Sequence, residues 1–80
     1  MRLLRDVSGK ELSRLLGRYG YRITRQTESH LRLTTLENGE HHVTIPDHDA
    51  LKVGTLSAIL TDVAAHLKLS KEALVKELFS

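Results

Sequence analysis

The sequence predicts an α+β fold in which helices cover one face of a three-stranded antiparallel sheet. Apolar residues recur at helical spacing near the start of the chain and again after residue 52. Between these regions, three short segments alternate apolar and polar residues and are separated by turn residues. The order is therefore α-β-β-β-α, followed by a short C-terminal helix. Because the helices and the sheet each have one apolar side, both main helices are expected to cover the same face of the sheet.

Size and composition restrict the class of protein. The chain has 80 residues, 40% of them hydrophobic and 28% charged, so residues 1–80 are expected to form a single globular domain. No apolar run approaches the roughly 18 residues that span a bilayer, and the start is too short for a secretory signal, so we expect a cytoplasmic protein without membrane contact. The absence of cysteine excludes disulfides and thiolate catalysis.

Charge is distributed unevenly along the chain. Residues 1–32 contain eight Arg or Lys and three acidic residues, whereas residues 33–80 contain four and seven. Seven of the eight N-terminal cations are arginines, whose planar guanidinium suits bidentate phosphate contacts. A polyanionic partner is therefore predicted, and a solvated basic surface without a ligand is the alternative.

The first helix is predicted over residues 9–19. Ser8 followed three residues later by Glu11 has capping-box spacing, and Gly20 suits the left-handed conformation that ends many helices. Its expected buried stripe consists of Leu12, Leu15, Leu16 and Tyr19.

The strands are predicted at residues 21–25, 30–35 and 41–45. A three-residue loop at 37–39 sets Leu33 opposite Val43, whereas a two-residue turn would set Leu33 opposite Thr44, so the longer loop is preferred. The same rule applied to the first hairpin pairs Ile23 with Leu33 and Gln26 with His30.

The alternation also assigns the two faces of the sheet. Tyr21 and Ile23 are expected to point into the core, and His30 begins the central strand beside the exit of the third strand at Pro46, which ends the sheet. The uncovered face should carry Arg22, Thr24, Gln26, His30, Arg32, Thr34, His42 and Thr44.

Two more helices are predicted, over residues 53–67 and 71–79. Lys52 precedes the first of them, where a phosphate would meet both an ammonium and a helix N-terminus. Ser70 caps the second, whose apolar residues either cover the core or dock on a partner: Leu74, Val75, Leu78 and Phe79.

The segments, taken in order, resemble the HicA family of toxin–antitoxin modules. The resemblance covers nearly the whole chain and is carried by Ser8-Gly9-Lys10-Glu11-Leu12, Leu15-Leu16, Arg18-Tyr19-Gly20-Tyr21, Arg25-Gln26, Ser29-His30, His42-Val43-Thr44-Ile45-Pro46-Asp47-His48, Leu51-Lys52, Gly54-Thr55-Leu56, Ile59-Leu60 and Leu69-Ser70-Lys71-Glu72. It implies a double-stranded-RNA-binding-domain-like fold and a small ribonuclease that cleaves mRNA and is held inactive by the antitoxin HicB. The catalytic histidine of the family's Gly-Ser-His motif maps onto His30.

Two positions depart from the family pattern. Glu28 stands where the motif has glycine, and Ser57 stands where many relatives carry a basic residue. A carboxylate in the loop should repel phosphate. Glu28 therefore keeps open the alternative of a non-catalytic RNA- or protein-binding module on the same fold.

The chemistry that we expect needs neither a metal nor a cofactor, because the RNA 2′-hydroxyl is a built-in nucleophile. An imidazole titrates near about pH 6.5 and suits proton transfer at cellular pH, so His30 is the predicted general base or acid. A second proton carrier, His42 or His48, is left open. The predicted RNA-binding residues are Arg22, Arg25, Ser29, Arg32 and Lys52.

A metal site is the main chemical rival, since His41, His42 and His48 lie within eight residues. Adjacent histidines on a strand point to opposite faces, so His41 and His42 are not expected to ligate one ion.

Overall fold

The computed structural model describes residues 6–79 and confirms the predicted α+β class and order of elements. The elements are α1 (Gly9–Leu16), a 3-10 turn (Gly17–Tyr19), β1 (Arg22–Gln26), β2 (His30–Thr35), β3 (His41–Pro46), α2 (Val53–Leu67) and α3 (Lys71–Phe79). Residues 1–5, which include two of the counted arginines and the start considered as a leader, lie outside the described residues, as does Ser80.

The first helix begins and ends where its sequence predicts, but it changes type on the way. The Glu11 amide donates to Ser8 Oγ at 2.9 Å, which is the predicted cap. The α-helix ends at Leu16 and continues as a 3-10 turn, in which the Gly20 amide donates to the Gly17 carbonyl at 3.0 Å. Gly20 then takes φ +80°, a conformation that glycine adopts without steric cost.

The second hairpin has the predicted register. Leu33 pairs with Val43 and Leu31 with Ile45, all of them buried. The loop between β2 and β3 places Asn38 at φ 59° and Gly39 at φ 99°, both in the left-handed region. These backbone conformations explain why the Asn-Gly pair stands there.

The first hairpin differs from the prediction because β1 contains a bulge. Ile23 pairs with Leu33 as predicted, but Thr24 and Arg25 together oppose Arg32. The extra residue shifts the remaining register, so Gln26 pairs with Leu31, and the predicted pairing of Gln26 with His30 was wrong.

Ile23 shares the inner face of the sheet with its partner Leu33, as predicted, but it is 48% exposed, so its predicted place in the core was wrong. The sheet order is β1-β2-β3, so β1 is an edge strand with a neighbouring strand on one side only. Tyr21, which precedes β1, is buried as predicted at 2% exposure.

One hydrophobic cluster joins the helices and the inner face of the sheet. The α2 bounds are those predicted, and Leu56, Leu60 and Val63 are fully buried. Ser70 caps α3, because its hydroxyl accepts from the Ala73 amide at 3.0 Å. Leu74, Leu78 and Phe79 lie in the core, and Val75 packs against it. Of the two alternatives for α3, the structure therefore supports the one in which it covers the core.

Helix α1 is attached to the end of β3 at a contact that only glycine fits. The Gly9 amide donates to the His48 carbonyl at 3.0 Å, and a Cβ at Gly9 would lie 2.1 Å from the Pro46 carbonyl oxygen. Pro46 pairs with His30, so this contact fixes the strand next to the candidate site. Within residues 6–79, no helix is both long and apolar enough to cross a membrane.

Candidate active site

The backbone of His30 is held from both neighbouring strands. On the β1 side, the His30 amide donates to Thr27 Oγ1 at 3.1 Å, and the Thr27 amide donates to the His30 carbonyl at 3.0 Å. On the β3 side, His30 pairs with Pro46, and the Asp47 amide donates to the Ser29 carbonyl at 2.9 Å. The short loop between β1 and β2 is therefore anchored at its last residues, and His30 starts from a fixed position.

The His30 ring is exposed and is oriented by its neighbour. Its Nδ1 lies 2.9 Å from Ser29 Oγ, a hydrogen-bond distance for either tautomer. In the part of the chain that the structure describes, Nε2 has no hydrogen-bond partner. The hydrogen bond at Nδ1 orients the ring and leaves Nε2 for proton transfer.

The ring lines a depression of about 280 Å³ together with Arg25, Thr27, Arg32 and Thr44. Arg25 and Arg32 are cross-strand partners, and like charges directly opposite each other destabilise a sheet. Among residues 6–79, no carboxylate forms an ion pair with either guanidinium. This uncompensated pair of cations is suited to an anion such as a phosphate.

The β1 bulge determines which residues reach this depression. Strict alternation places Gln26, and not Arg25, on the uncovered face, as the sequence predicted. Because Thr24 and Arg25 both oppose Arg32, Arg25 joins the His30 depression, and Gln26 faces the same way as the buried Leu31.

The five residues predicted to bind RNA divide into two groups. Ser29, Arg25 and Arg32 lie at His30. Arg22 instead pairs with Thr34, four positions along β2 from His30, and lines a separate depression of about 650 Å³. Lys52 is the exposed residue before α2 and does not line the His30 depression, and neither does Glu28.

Sequence reasoning missed the role of Thr27, which holds both backbone groups of His30. A sequence signal for this role exists. A threonine in a hairpin loop can accept a hydrogen bond from the amide three residues later, where the next strand begins.

The predicted opposite orientations of His41 and His42 are confirmed. His41 Nδ1 lies 2.7 Å from Tyr21 Oη and its Nε2 lies 3.2 Å from Asp62 Oδ1, on the helix side of the sheet, and its ring stacks on His66. Burial, and secondarily the Asp62 carboxylate, raise the pKa of Tyr21 to about 12. His42 lies on the uncovered face, with Nδ1 at 2.7 Å from Thr34 Oγ1. Across residues 6–79, no three His, Cys, Asp or Glu side chains are grouped so that they could hold a metal ion.

Comparison with known families adds one finding. Residues 9–64 match a family model described as the HicA toxin of bacterial toxin-antitoxin. The matched range includes the whole sheet, and with it His30, Arg25 and Arg32. No curated protein and no solved structure matches the chain.

Proposed function

The chain belongs to the HicA toxin family of bacterial toxin–antitoxin systems, and from this premise we propose that it is an endoribonuclease that cleaves mRNA with His30 and without metal. One observation carries the proposal. The free Nε2 of an oriented imidazole lies in the same depression as two guanidiniums that no carboxylate neutralises within residues 6–79.

The reaction that this arrangement suits is transfer of the phosphate within the RNA chain. The ribose 2′-oxygen attacks the adjacent phosphorus, and the bond from phosphorus to the 5′-oxygen of the next nucleotide breaks. His30 Nε2 accepts the 2′-hydroxyl proton, or in its protonated form donates a proton to the departing 5′-oxygen. The products are a 2′,3′-cyclic phosphate, which water opens to a 3′-phosphate, and a 5′-hydroxyl.

Arg25 and Arg32 supply the electrostatic part of the mechanism. Negative charge builds up on the phosphorane oxygens in the transition state, and fixed cations that are already in place stabilise it without reorganisation. Ser29 acts through His30 by orienting the ring, and is therefore a positioning residue.

The geometry restricts the second proton carrier. His42 pairs with Thr34, four positions along β2 from His30, a separation of about 13 Å at strand spacing. That is too far for both rings to act on one phosphate. His30 is the one imidazole among the residues that line its depression, so the pH profile of kcat/KM should show a single ionising group. A bell-shaped profile that becomes single-limbed in His48→Ala would assign the second step to His48.

The direct test incubates the purified chain with an end-labelled RNA in a chelator. Wild type should yield fragments ending in cyclic or 3′-phosphate, and His30→Ala should leave the RNA intact. His30 is exposed, so the variant should keep the wild-type circular dichroism spectrum and unfolding midpoint. A DNA of the same sequence is the substrate control, because it lacks the 2′-hydroxyl. Cleavage by folded His30→Ala would remove His30 from the mechanism.

The same experiment tests the alternative of a non-catalytic module. Glu28, exposed in the loop before His30, is the residue that favours this alternative. Salt-sensitive binding of RNA by wild type, without fragments, would identify such a module.

Family membership implies a cognate antitoxin, and we propose a HicB-type protein. An acidic segment of the antitoxin would complement the arginines of the uncovered face and block His30. Added antitoxin should then inhibit cleavage, and inhibition should weaken with salt. We further propose that the chain forms one domain and is cytoplasmic, where an mRNA target and an antitoxin partner would both be found.

A further inference from the structure

A chain of side-chain hydrogen bonds crosses all three strands on the uncovered face. Thr24 Oγ1 lies 2.9 Å from Thr34 Oγ1, which lies 2.7 Å from His42 Nδ1. His42 Nε2 in turn lies 2.7 Å from Glu40 Oε2. Each link has a donor and an acceptor if the hydroxyl protons point toward Glu40 and the imidazole proton is on Nε2. We name these four residues the cross-strand chain.

The cross-strand chain ends on a carboxylate that is held and still available. The Glu40 side chain is 64% exposed, a degree of exposure at which a glutamate ordinarily samples several rotamers. Its Oε2 is engaged by His42, whereas Oε1 has no partner among the residues that the structure describes. Glu40 therefore presents one fixed hydrogen-bond acceptor to solvent.

The position of Glu40 is unusual for its charge. The cross-strand chain lines a depression of about 410 Å³ that it shares with Arg25 and Arg32, the two arginines of the His30 depression. Within residues 6–79, Glu40 forms an ion pair with His42 and with no arginine. The guanidiniums thus stay available for phosphate, and the carboxylate must meet a part of the ligand that offers hydrogen-bond donors.

In single-stranded RNA those donors are on the bases. Unstacked bases are read through hydrogen bonds on their Watson–Crick edges, and glutamate accepts from exocyclic amino groups such as cytosine N4. Leu36, 77% exposed, lines the same depression and offers an apolar surface to the flat side of a base.

We infer that Glu40 is a specificity residue of the proposed nuclease, with His42 as its positioning residue, and that it selects a base with an amino group next to the scissile phosphate. The inference rests on the proposed function, because the scissile phosphate is placed at His30. Arg25 and Arg32 lie between the two depressions, so a phosphate held there connects the cleaved nucleotide to the selected base. Adenine, cytosine and guanine carry the amino donor. Uracil offers a ring N–H between two carbonyl oxygens, which a carboxylate repels.

The test uses short RNAs with one cleavage site that differ only in the base at one of the two positions on either side. Wild type should cleave the uracil version at least tenfold more slowly at one of these positions. Glu40→Gln should reduce this discrimination to below threefold, because its neutral amide tolerates the uracil oxygens. Glu37→Gln removes another exposed carboxylate, which lines the Arg22 depression instead, and should preserve the wild-type discrimination.

Binding of the same RNAs to His30→Ala separates this inference from the proposed function. If wild type cuts no RNA, the proposed function fails, but base-dependent binding that Glu40→Gln abolishes still supports the specificity site. Cleavage or binding that is equal for all four bases at every position would overturn the site. Discrimination that survives in Glu40→Gln would overturn it as well.

Discussion

The two hairpins of the sheet share strand β2 but differ in regularity and in burial. From His30 with Pro46 to Thr35 with His41, β2 and β3 pair without interruption, whereas the pairing of β1 with β2 is broken by the bulge at Thr24. Val43 and Ile45 of β3 are buried, but every residue of β1 is exposed. The regular hairpin thus completes the core, and the irregular hairpin brings Arg25 of the candidate site to the uncovered face.

The difference in burial between the two hairpins is clear at Leu33, which has one cross-strand partner in each of them. It is fully buried, and its two partners are Val43 at 5% exposure and Ile23 at 48%. Because β1 contributes little to the core, a shift in its register costs little buried apolar surface. The bulge is such a shift, and it places Arg25 in the His30 depression.

The largest effect is expected where the regular hairpin meets α1. Gly9→Ala would force a Cβ against the Pro46 carbonyl at 2.1 Å, and a backbone atom cannot rotate away. We expect a loss of about 3 kcal/mol in the free energy of unfolding, measured by urea denaturation.

Gly17→Ala is the matched control for that substitution. A Cβ at Gly17 meets nothing within 4 Å, and the residue has right-handed φ and ψ of −56° and −26°. Alanine there should be neutral or stabilising by up to about 1 kcal/mol. Equal losses in the two variants would show that the close approach of α1 to Pro46 is not a constraint.

The bulged hairpin is tested next, by comparing two arginines of β1. Arg25 lines the His30 depression and Arg22 does not. Arg25→Ala should lower kcat for RNA cleavage by about 100-fold, as expected for loss of a transition-state charge contact. Arg22→Ala should change kcat by less than threefold, with stability unchanged in both variants. A larger loss of kcat in Arg22→Ala would place the phosphate at the other end of the strand.

What the sequence predicted follows the same division. The β2–β3 register and the bounds of α2 and α3 were predicted correctly, because each depends on local rules that agree. In the loop between β2 and β3, Asn38 and Gly39 favour a turn with left-handed residues. The requirement that Leu33 and Val43 share a face gives the same register. The identity of the family and the position of His30 on an exposed strand face were also accessible, since both depend on residue order and alternation.

The bulge could not be predicted, because residues 22–26 alternate well enough for a plain strand. Its presence depends on tertiary context, namely that Ile23 lies on an edge strand and loses little by exposure. The hydrogen bond between His42 and Glu40 was missed for a related reason. Residues two apart on a strand share a face, but alternation does not indicate which of their polar groups will bond.

Truncating the two cross-strand partners of Leu33 compares the contributions of β3 and β1 to the free energy of unfolding. Val43→Ala removes two buried methyl groups and should cost about 2 kcal/mol. Ile23→Ala removes a larger group but should cost less than about 1 kcal/mol, because half of that side chain already faces water. Urea denaturation of both variants gives the two values. A cost for Ile23→Ala that equals or exceeds that for Val43→Ala would mean that β1 is part of the core.

The smallest effect concerns the tyrosine that precedes β1 on the covered side of the sheet. Burial, and secondarily Asp62, raise the pKa of Tyr21 from 10.0 to about 12. Between these two pH values the unfolded chain loses the phenolic proton while the folded chain keeps it, so stability present below pH 10 falls as the pH rises.

Tyr21→Phe should therefore reduce the slope of unfolding free energy against pH, between pH 10 and 12, by about one proton. Tyr19, whose pKa is likewise raised to about 12 by burial and by its contact with Glu77, provides the comparison. It is less buried than Tyr21 and lies on the opposite side of Gly20 from β1, so solvent should screen part of its effect and Tyr19→Phe should change the slope less. An alkaline slope that is unchanged in Tyr21→Phe would show that the ring is hydrated, and that the covered face opens to water next to β1 as the other face does.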